Sequence, residues 1–538
     1  MGERLIVTSA AYCDPEMQAE IGKLPPSFLP LGNKRLYEFQ FELAKRCNFS
    51  MTLTLPKSYI IPEHDKKIMA DLGIEVIALP DKVSMGQSAL HVLNILGEYD
   101  EPIHILRGDT LFDWLPGDET DIISVATSKS SYRWTVISEG ENCGLQFLPN
   151  TTVRSASSPR FQSSSQVVSG YYSFSRAALF LKSLEEAGED FIGALSEYHK
   201  TQRLKLRILA DWRNCGHLHT YFHSRTTIPT QRSFNEIQND TKTVIKSSPD
   251  SEKMAAEVNW FDNLPERMRI YAPTFLGPDK NGTLKGYAIE NLNLMTLSDL
   301  FVFGNLEGAI WDQIILACSR FLSDCQSYNS QDFDHRQPDN LYLGKTLKRL
   351  EEYQLQTGFD LDAELTLGGR ALPPLREIAE VSASLIQKCQ PSNVGIMHGD
   401  FCFSNVFFDF RSQSIKVIDP RGFITKGQPN LFGDTRYDVG KLHHSIVGFY
   451  DFIVAGRYKY SQHDDYNFDF SLMVTGETST ICSTFLQHSF GRYSGDDPTF
   501  NAMSVLLFLS MLPLHYDKPL RQKAFLANAA RLFTSHVD

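Results

Sequence analysis

Three polar residues constrain this chain most: Asp400 in His398-Gly-Asp400, Asn405 five positions on, and Asp419 in Val417-Ile-Asp419-Pro-Arg-Gly422. Between the last two, Asn405-Val-Phe-Phe-Asp and Ser414-Ile-Lys-Val-Ile-Asp read as short antiparallel strands, joined by a turn at Phe410-Arg-Ser-Gln. Such a hairpin brings Asn405 and Asp419 to one point. Their oxygens suit a hard cation such as Mg²⁺. Asp400 suits a different task, orienting a hydroxyl and accepting its proton, and together these are the needs of phosphoryl transfer from ATP. A loop with a satisfied histidine and an Asn cap would explain each residue singly, but it does not require Asp, Asn and Asp in this order.

His398-Gly-Asp-Phe-Cys-Phe-Ser-Asn405, with Ile418-Asp-Pro-Arg-Gly422 downstream, resembles the aminoglycoside phosphotransferase and choline kinase family. The resemblance implies a bilobal kinase-like α+β fold that phosphorylates hydroxyls of small molecules. It makes Asp400 the catalytic base and Asn405 and Asp419 the Mg²⁺ ligands. Asp438, in Arg436-Tyr-Asp-Val-Gly-Lys441, resembles the Asp that opens the next helix in that family and braces the catalytic loop. Upstream, Thr243-Val-Ile-Lys246 reads as a strand ending on a lysine, followed by a helix through Ser251-Glu-Lys-Met-Ala-Ala-Glu257-Val-Asn-Trp260. By the same resemblance Lys246 holds the ATP phosphates and Glu257 holds Lys246. The covering loop, Gln231 to Asp240, has no glycine, so backbone or Ser233 contacts take its place.

The first 225 or so residues have another texture. Apolar strands at Arg4-Leu-Ile-Val-Thr, Met51-Thr-Leu-Thr-Leu, Glu75-Val-Ile-Ala-Leu, Ile103-His-Ile-Leu and Asp121-Ile-Ile-Ser-Val-Ala alternate with helical stretches such as 36–47 and 88–97. That alternation implies an α/β layer with a mostly parallel sheet, its ligand site at the strand ends. Asp109, in Leu106-Arg-Gly-Asp109, lies at one such end; a plain turn with an Asx cap would also account for it.

Leu24-Pro-Pro-Ser-Phe-Leu-Pro-Leu-Gly-Asn-Lys-Arg-Leu36, Met85-Gly-Gln-Ser-Ala-Leu90, Ser169-Gly-Tyr-Tyr-Ser-Phe174 and Asp211-Trp-Arg-Asn-Cys-Gly-His217 occur in the order seen in sugar-phosphate nucleotidylyltransferases. This resemblance implies base recognition near Gly86 and Gln87, and metal binding by Asp109 and Asn214. The chain departs from the pattern in three places. Ser9-Ala-Ala-Tyr-Cys-Asp-Pro replaces the Gly-rich loop, and Asn214 stands where Asp is commoner. Pro26-Ser27 stands where that family has Pro-Lys, leaving Lys23 or Lys34 to substitute.

With 538 residues the chain exceeds one core. The expected parts are a nucleotidylyltransferase-like domain over 1–225, a kinase-like N-lobe over 226–290 and a helical C-lobe over 291–538. Tyr287 to Leu294 reads as the edge strand and hinge for adenine, and 309–329 and 373–390 as long helices. Residues 150–166, rich in Ser, Thr and Arg, read as an active-site loop. A net charge of −12 argues against nucleic-acid binding or a polybasic membrane anchor. Nine cysteines without CxxC pairs suit free thiols and a cytoplasmic location. The N-terminus lacks the apolar core of a signal peptide, and Met503 to Leu514 is shorter than the ~20 residues of a membrane span, so it reads as a buried helix in a soluble protein. Of His443 and His444, adjacent on a helix, one is expected packed and one solvated; Trp260 and Trp311 read as core.

The leading expectation is a bifunctional enzyme. It phosphorylates a small hydroxyl compound with ATP, then joins the phosphomonoester to a nucleotide from a second nucleoside triphosphate. The NDP-linked product, CDP-linked by preference if the acceptor is choline-like, would serve surface polysaccharide such as capsule. The alternative is a kinase alone, its front domain a non-catalytic nucleotide-binding or scaffolding module. A drug-modifying phosphotransferase fits less well, because a nucleotidylyltransferase-like domain has no place in it.

Overall fold

The structure is a computed structural model. It describes residues 2–97, 101–127, 132–139, 145–152, 166–228, 236–239, 242–278, 286–330, 333–334, 336, 338 and 341–537. The chain divides into two compact units, Met1–Pro229 and Thr230–Asp538.

Unit 1 is built on β1 (Arg4–Thr8), β2 (Ser50–Pro56), β3 (Glu75–Leu79), β4 (Ile103–Arg107), β5 (Thr110–Leu111), β6 (Ile122–Ala126), β7 (Arg133–Glu139), β8 (Leu145–Thr152), β9 (Gln166–Phe174), β10 (Lys205–Ile208) and β11 (Arg213–Asn214). The large sheet runs β8-β7-β9-β4-β1-β2-β3, with β6 paired to β9 and β10 to β6. Leu5, Ile6 and Val7 are all fully buried, as expected of a strand covered on both faces. Helices α1 (Pro15–Ile21), α2 (Leu36–Arg46) and α3 (Met85–Leu96) follow the first strands. α3 starts where the sequence supplies a reciprocal cap: Ser84 Oγ accepts the Gln87 N–H at 3.1 Å and Gln87 Oε1 accepts the Ser84 N–H at 2.9 Å.

The expectation of a mostly parallel sheet is corrected. β4-β1-β2-β3 is parallel throughout, but β9 runs antiparallel to β4, β6 and β7. A parallel return needs a long crossover, usually a helix. Between β6 and β9 the described chain forms the β7–β8 hairpin instead, so the sheet is mixed.

In unit 2, β12 (Glu236–Asn239), β13 (Thr243–Ser247), β14 (Phe275–Pro278) and β15 (Gly286–Glu290) form an antiparallel sheet in the order β12-β13-β15-β14. Helix α4 (Ser251–Asn263) lies between β13 and β14 in sequence, with Asp250 Oδ1 accepting the Lys253 N–H at its start. β15 was expected at the edge and is corrected to an inner strand. Tyr287 on it is fully buried and faces Lys246 in register.

The rest is largely helical, including α5 (Gly308–Gln326), α6 (Leu343–Thr357), α7 (Arg436–Ile446) and α8 (Pro498–Met511), with the hairpin β16 (Val406–Asp409) and β17 (Ser414–Val417). α8 is apolar all round, the pattern of a core helix, and packs on α6 and α7. The segment Pro498–His515 is long and apolar enough to cross a membrane, yet 67% of it is buried within the protein.

Because α7 is enclosed, the expected solvated member of the histidine pair is absent. His443 and His444 are both buried, His443 on the Ser504 hydroxyl at 2.7 Å and His444 against the rings of Tyr450 and Phe508. Burial brings His443 down to about 3, so it is neutral. Trp260 and Trp311 are core residues, and the eight described cysteines are free thiols.

Candidate active sites

In unit 2 the strand Val394–Ile396 leads into Met397-His398-Gly399-Asp400. Gly399 has φ of +77°, and its N–H and that of His398 both donate to the Asp438 carboxylate at 2.7 Å. Asp438 thus braces the loop from the first turn of α7. His398 is fully buried, which lowers its pKa to about 4 and keeps the ring neutral. Its Nε2 lies 3.0 Å from the Ile418 carbonyl, which can only accept, so Nε2 carries the proton. Nδ1 is left to accept the Asp400 N–H at 3.3 Å.

The hairpin does what its spacing implied. Val406 pairs with Val417, and the Ile418 N–H donates to the Asn405 carbonyl, so Asn405 and Asp419 flank the same end of the ladder. Asn405 Nδ2 donates to the Asp400 carbonyl at 3.0 Å and to Asp400 Oδ2 at 2.9 Å, which fixes the amide and turns its oxygen away from Asp400. Asp419 sits at φ +58°, in the left-handed region, with Oδ1 3.0 Å from Lys246 Nζ. Lys246 reaches Glu257 Oε2 at 2.6 Å, and the Tyr287 hydroxyl donates to the same oxygen at 2.7 Å. Burial opposes charge on Lys246, but Asp419 and Glu257 outweigh it and raise its pKa. The pair is ionic.

α4 is locked over this loop. Trp260 Nε1 donates to the Met397 carbonyl at 3.0 Å. A Cβ on Gly422 would stand 2.2 Å from the Ala256 carbonyl oxygen, so only glycine lets the 419–422 turn pass under the helix. The structure therefore brings Lys246, Glu257 and Asp419 together, and Asp400 with Asn405. Ser233 lies outside the described residues, as does most of the 150–166 segment.

Three cations of this corner carry no assignment from the sequence. Lys441 Nζ is 2.8 Å from Asp400 Oδ1, Arg421 stands near the same carboxylate, and Lys345 meets Tyr437, one turn of α7 from Lys441. Burial alone would raise the Asp400 pKa, but Lys441 first and then Arg421 hold it well below the usual carboxylate range. A signal for Lys441 existed: it is one helical turn from Asp438, on the same face of α7.

The oxygens suited to Mg²⁺ here are those of Asn405 and Asp419, a hard donor set that fits the ion. Among the described residues, no group of three or more His, Cys, Asp or Glu forms a metal cluster.

In unit 1 the loops after β1 and β4 line a cleft of about 230 Å³, together with Val83 to Met85, Ser88 and Gly216. Asp109 lies in it, placed by the pairing of β5 with β11, which sets Thr110 against Asn214. The Cys215 N–H donates to the Asp109 carbonyl at 2.7 Å, and a Cβ on Gly216 would come within 2.3 Å of Asp109 Oδ2. Asp109 and Asn214 are thus neighbours.

Asn214 Oδ1 accepts the Gly216 N–H at 3.1 Å and lies 2.8 Å from the Thr220 hydroxyl, whose single proton also faces the His217 carbonyl at 3.0 Å, at the turn into the next helix. Asp109 Oδ2 is paired with Arg107 at 3.0 Å and Oδ1 with the Thr110 hydroxyl at 3.1 Å.

Gly86 and Gln87 are relocated. A Cβ on Gly86 would meet the Glu189 carbonyl oxygen at 2.0 Å, so this glycine serves packing against 189–191. Gln87 is spent on the α3 cap and on Glu189. Ser84, Met85 and Ser88 line the cleft in their place. Ser27, where the resemblance would put a lysine, is fully buried between Ser9 and the Gly108 carbonyl. Of the two substitutes, Lys23 stands over the ring of cleft-lining Tyr12 at 4.3 Å, whereas Lys34 lies over Phe39. At the start of α1, Asp14 caps the Met17 N–H itself.

No family model matches the sequence, and no curated protein matches it. Several solved structures are similar. A putative glucose-1-phosphate thymidylyltransferase from Bacillus anthracis is 13% identical, with a TM-score of 0.34 over 44% of this chain and 98% of its own. The inositol-1-phosphate CTP transferase from T. maritima is 13% identical, with a TM-score of 0.30 over 41% of this chain and 91% of its own. The 4-diphosphocytidyl-2C-methyl-D-erythritol synthase from Anaerococcus prevotii is 12% identical, with a TM-score of 0.27 over 42% of this chain and 97% of its own. These likenesses are remote, and the functional reading rests on the geometry of the sites.

Proposed function

We propose that unit 2 is an ATP-dependent kinase of a small hydroxyl compound, with a bilobal kinase-like fold whose N-lobe is the β12–β15 sheet with α4. One observation carries the reading: Lys246, Glu257 and Asp419 meet within 3.0 Å, while Asp400 and Asn405 meet on the adjoining loop. The acceptor's oxygen attacks the γ-phosphorus, the bond to the bridging oxygen breaks and ADP leaves. Asp400 orients the attacking hydroxyl and takes its proton; Lys441 and Asn405 fix the carboxylate for that task. Lys246, held charged by Glu257, faces the nucleotide phosphates. Mg²⁺ bound by Asn405 and Asp419 supplies charge neutralisation on those phosphates.

For unit 1 the proposal is nucleotidyl transfer onto the kinase's product, in the cleft lined by Arg107 and Asp109, with Lys23 over the ring of its Tyr12. The two steps are chemically sequential, since a phosphomonoester is the nucleophile that displaces pyrophosphate. The NDP-linked product suits surface polysaccharide assembly, and both substrates are cytoplasmic nucleotides. A second reading, a nucleotide-binding module without catalysis, is favoured by Asp14 filling the helix start and by the hold of Asn214 Oδ1 on the Gly216 N–H.

Measuring ADP and pyrophosphate release separately tests both units. Asp400→Asn is expected to lower kinase turnover about 10²-fold or more with ATP affinity retained; near-normal turnover refutes the kinase assignment. Asp109→Ala is expected to abolish pyrophosphate release and spare ADP release. If the intact chain releases no pyrophosphate from any nucleoside triphosphate with the kinase's own product, unit 1 is a binding module.

A further inference from the structure

The corner of unit 2 that holds Asp400 carries more positive charge than its described carboxylates use. Lys345 on α6, Arg421 past Asp419 and Lys441 on α7 converge on Tyr437 from three separate segments, two of them also facing Asp400. Lys441 has Asp400. Arg421 is clamped to the catalytic loop: its N–H donates to the His398 carbonyl at 2.7 Å, and its Cβ lies 2.6 Å from where a Cβ on Gly399 would stand. Its Nε is buried and bonds to nothing among the described residues. Lys345 Nζ meets a phenol, Tyr437, at 3.3 Å.

The other described carboxylates nearby are committed. Asp434 pairs with Arg436 and Tyr342, Asp438 takes the two backbone N–H groups, and Asp419 takes Lys246. The cations also act on one another. Burial lowers the Lys345 pKa, and repulsion from Arg421 and Lys441 adds to it against the attraction of Tyr437. Burial would raise the Tyr437 phenol, yet Lys345, Lys441 and Arg421 bring it to about 8. Such a gathering of like charge is relieved by an anion.

We propose that the acceptor phosphorylated by unit 2 is itself an anion, a hydroxyl compound bearing a carboxylate or phosphate that Lys345 and Arg421 bind while its hydroxyl faces Asp400. This rests on the kinase reading of Asp400. It replaces a choline-like acceptor, whose cation would face two cations with no described carboxylate free to receive it. Arg421 supplies the planar fork that suits either oxyanion, and Lys345 the point charge.

The test uses the full chain with MgATP and four acceptors of similar size: glycerol, choline, D-glycerate and sn-glycerol 3-phosphate. At least one of the two anions is expected to give a kcat/KM ten or more times that of glycerol or choline, and the better anion tells carboxylate from phosphate. Lys345→Met, which keeps the stem, is expected to raise the KM for that anion about tenfold while the KM for ATP stays within twofold. Glycerol or choline turned over as well as either anion overturns the proposal. So does an acceptor KM untouched by both Lys345→Met and Arg421→Gln. Should no acceptor yield ADP, calorimetric titration with the two anions decides. Binding that Lys345→Met abolishes upholds the anion site and leaves the kinase reading as the one that failed; absence of binding to the intact chain overturns the inference.

Discussion

Replacing Lys246 by methionine removes one charge from a buried trio and keeps most of the volume. Only 4% of the Lys246 side chain and 1% of that of Glu257 are exposed. At an effective dielectric near 20, charges 2.6 Å apart attract by about 6 kcal/mol. Desolvation consumes most of that gain, so the intact pair contributes little net stability. Breaking it is different, because Glu257 stays buried without its cation, and such losses run to about 3–5 kcal/mol. The Tyr287 hydroxyl still donates to Glu257, which favours about 3 kcal/mol. With an unfolding entropy of about 2.1 cal/mol/K per residue, 1 kcal/mol is worth about 1.5 °C for a unit of this size, so the unit 2 transition in a calorimetric scan is expected to fall by about 4–5 °C.

The pH dependence follows. Burial raises the pKa of Glu257, and without Lys246 nothing comparable opposes it. The folded variant then binds a proton more tightly than the unfolded chain does. Its deficit is full above the folded pKa and shrinks as pH falls below it. Adding Glu257→Gln is expected to recover about 2 kcal/mol or more of coupling. A loss under about 1 kcal/mol at neutral pH, or two single losses that simply add, refutes the account.

Two further outcomes follow from burial. His443 and His398 are held neutral, at about 3 and about 4, so the unfolded chain binds protons first. Unit 2 should therefore lose stability as pH drops below about 6.5, each histidine contributing about 1.4 kcal/mol per pH unit down to its folded pKa; urea titrations of His443→Asn should show the slope reduced by one proton, and an unchanged slope contradicts this. Gly86→Ala forces a Cβ against the Glu189 carbonyl oxygen and should destabilise unit 1 by about 1–3 kcal/mol by thermal unfolding, whereas an unchanged midpoint would mean the 189–191 segment moves freely.

The sequence exposed what is local. A strand ending on Lys246, a capped helix carrying Glu257 and a hairpin between Asn405 and Asp419 are each written in a few adjacent residues, and the structure forms all three elements. Strand order was less legible. Gln166–Phe174 is buried on both faces and reads alike in either direction, and only the β7–β8 hairpin before it decides that it runs antiparallel. β15 became an inner strand because β14 pairs on its other side, which no residue of 286–290 announces. Lys345, Arg421 and Lys441 were hidden for a third reason. They lie up to 96 positions apart, and basic residues are too common for one to mark a site. Asn214 and Gly86 are hard to read in the opposite way, since a residue matching a functional position also has a local use, in a turn or in packing.

The left-handed backbone at Asp419 has a consequence for inheritance. Asparagine, aspartate and glycine adopt that conformation at little cost, and longer or branched side chains do not. The changes most easily absorbed at this position, to asparagine or glycine, each follow from a single base change in an aspartate codon. Both discard the negative charge while leaving the turn intact, whereas glutamate would keep the charge and strain the turn. Lineages descending from this chain can thus shed the carboxylate with the turn intact, losing one partner of Lys246, more readily than they can alter its reach.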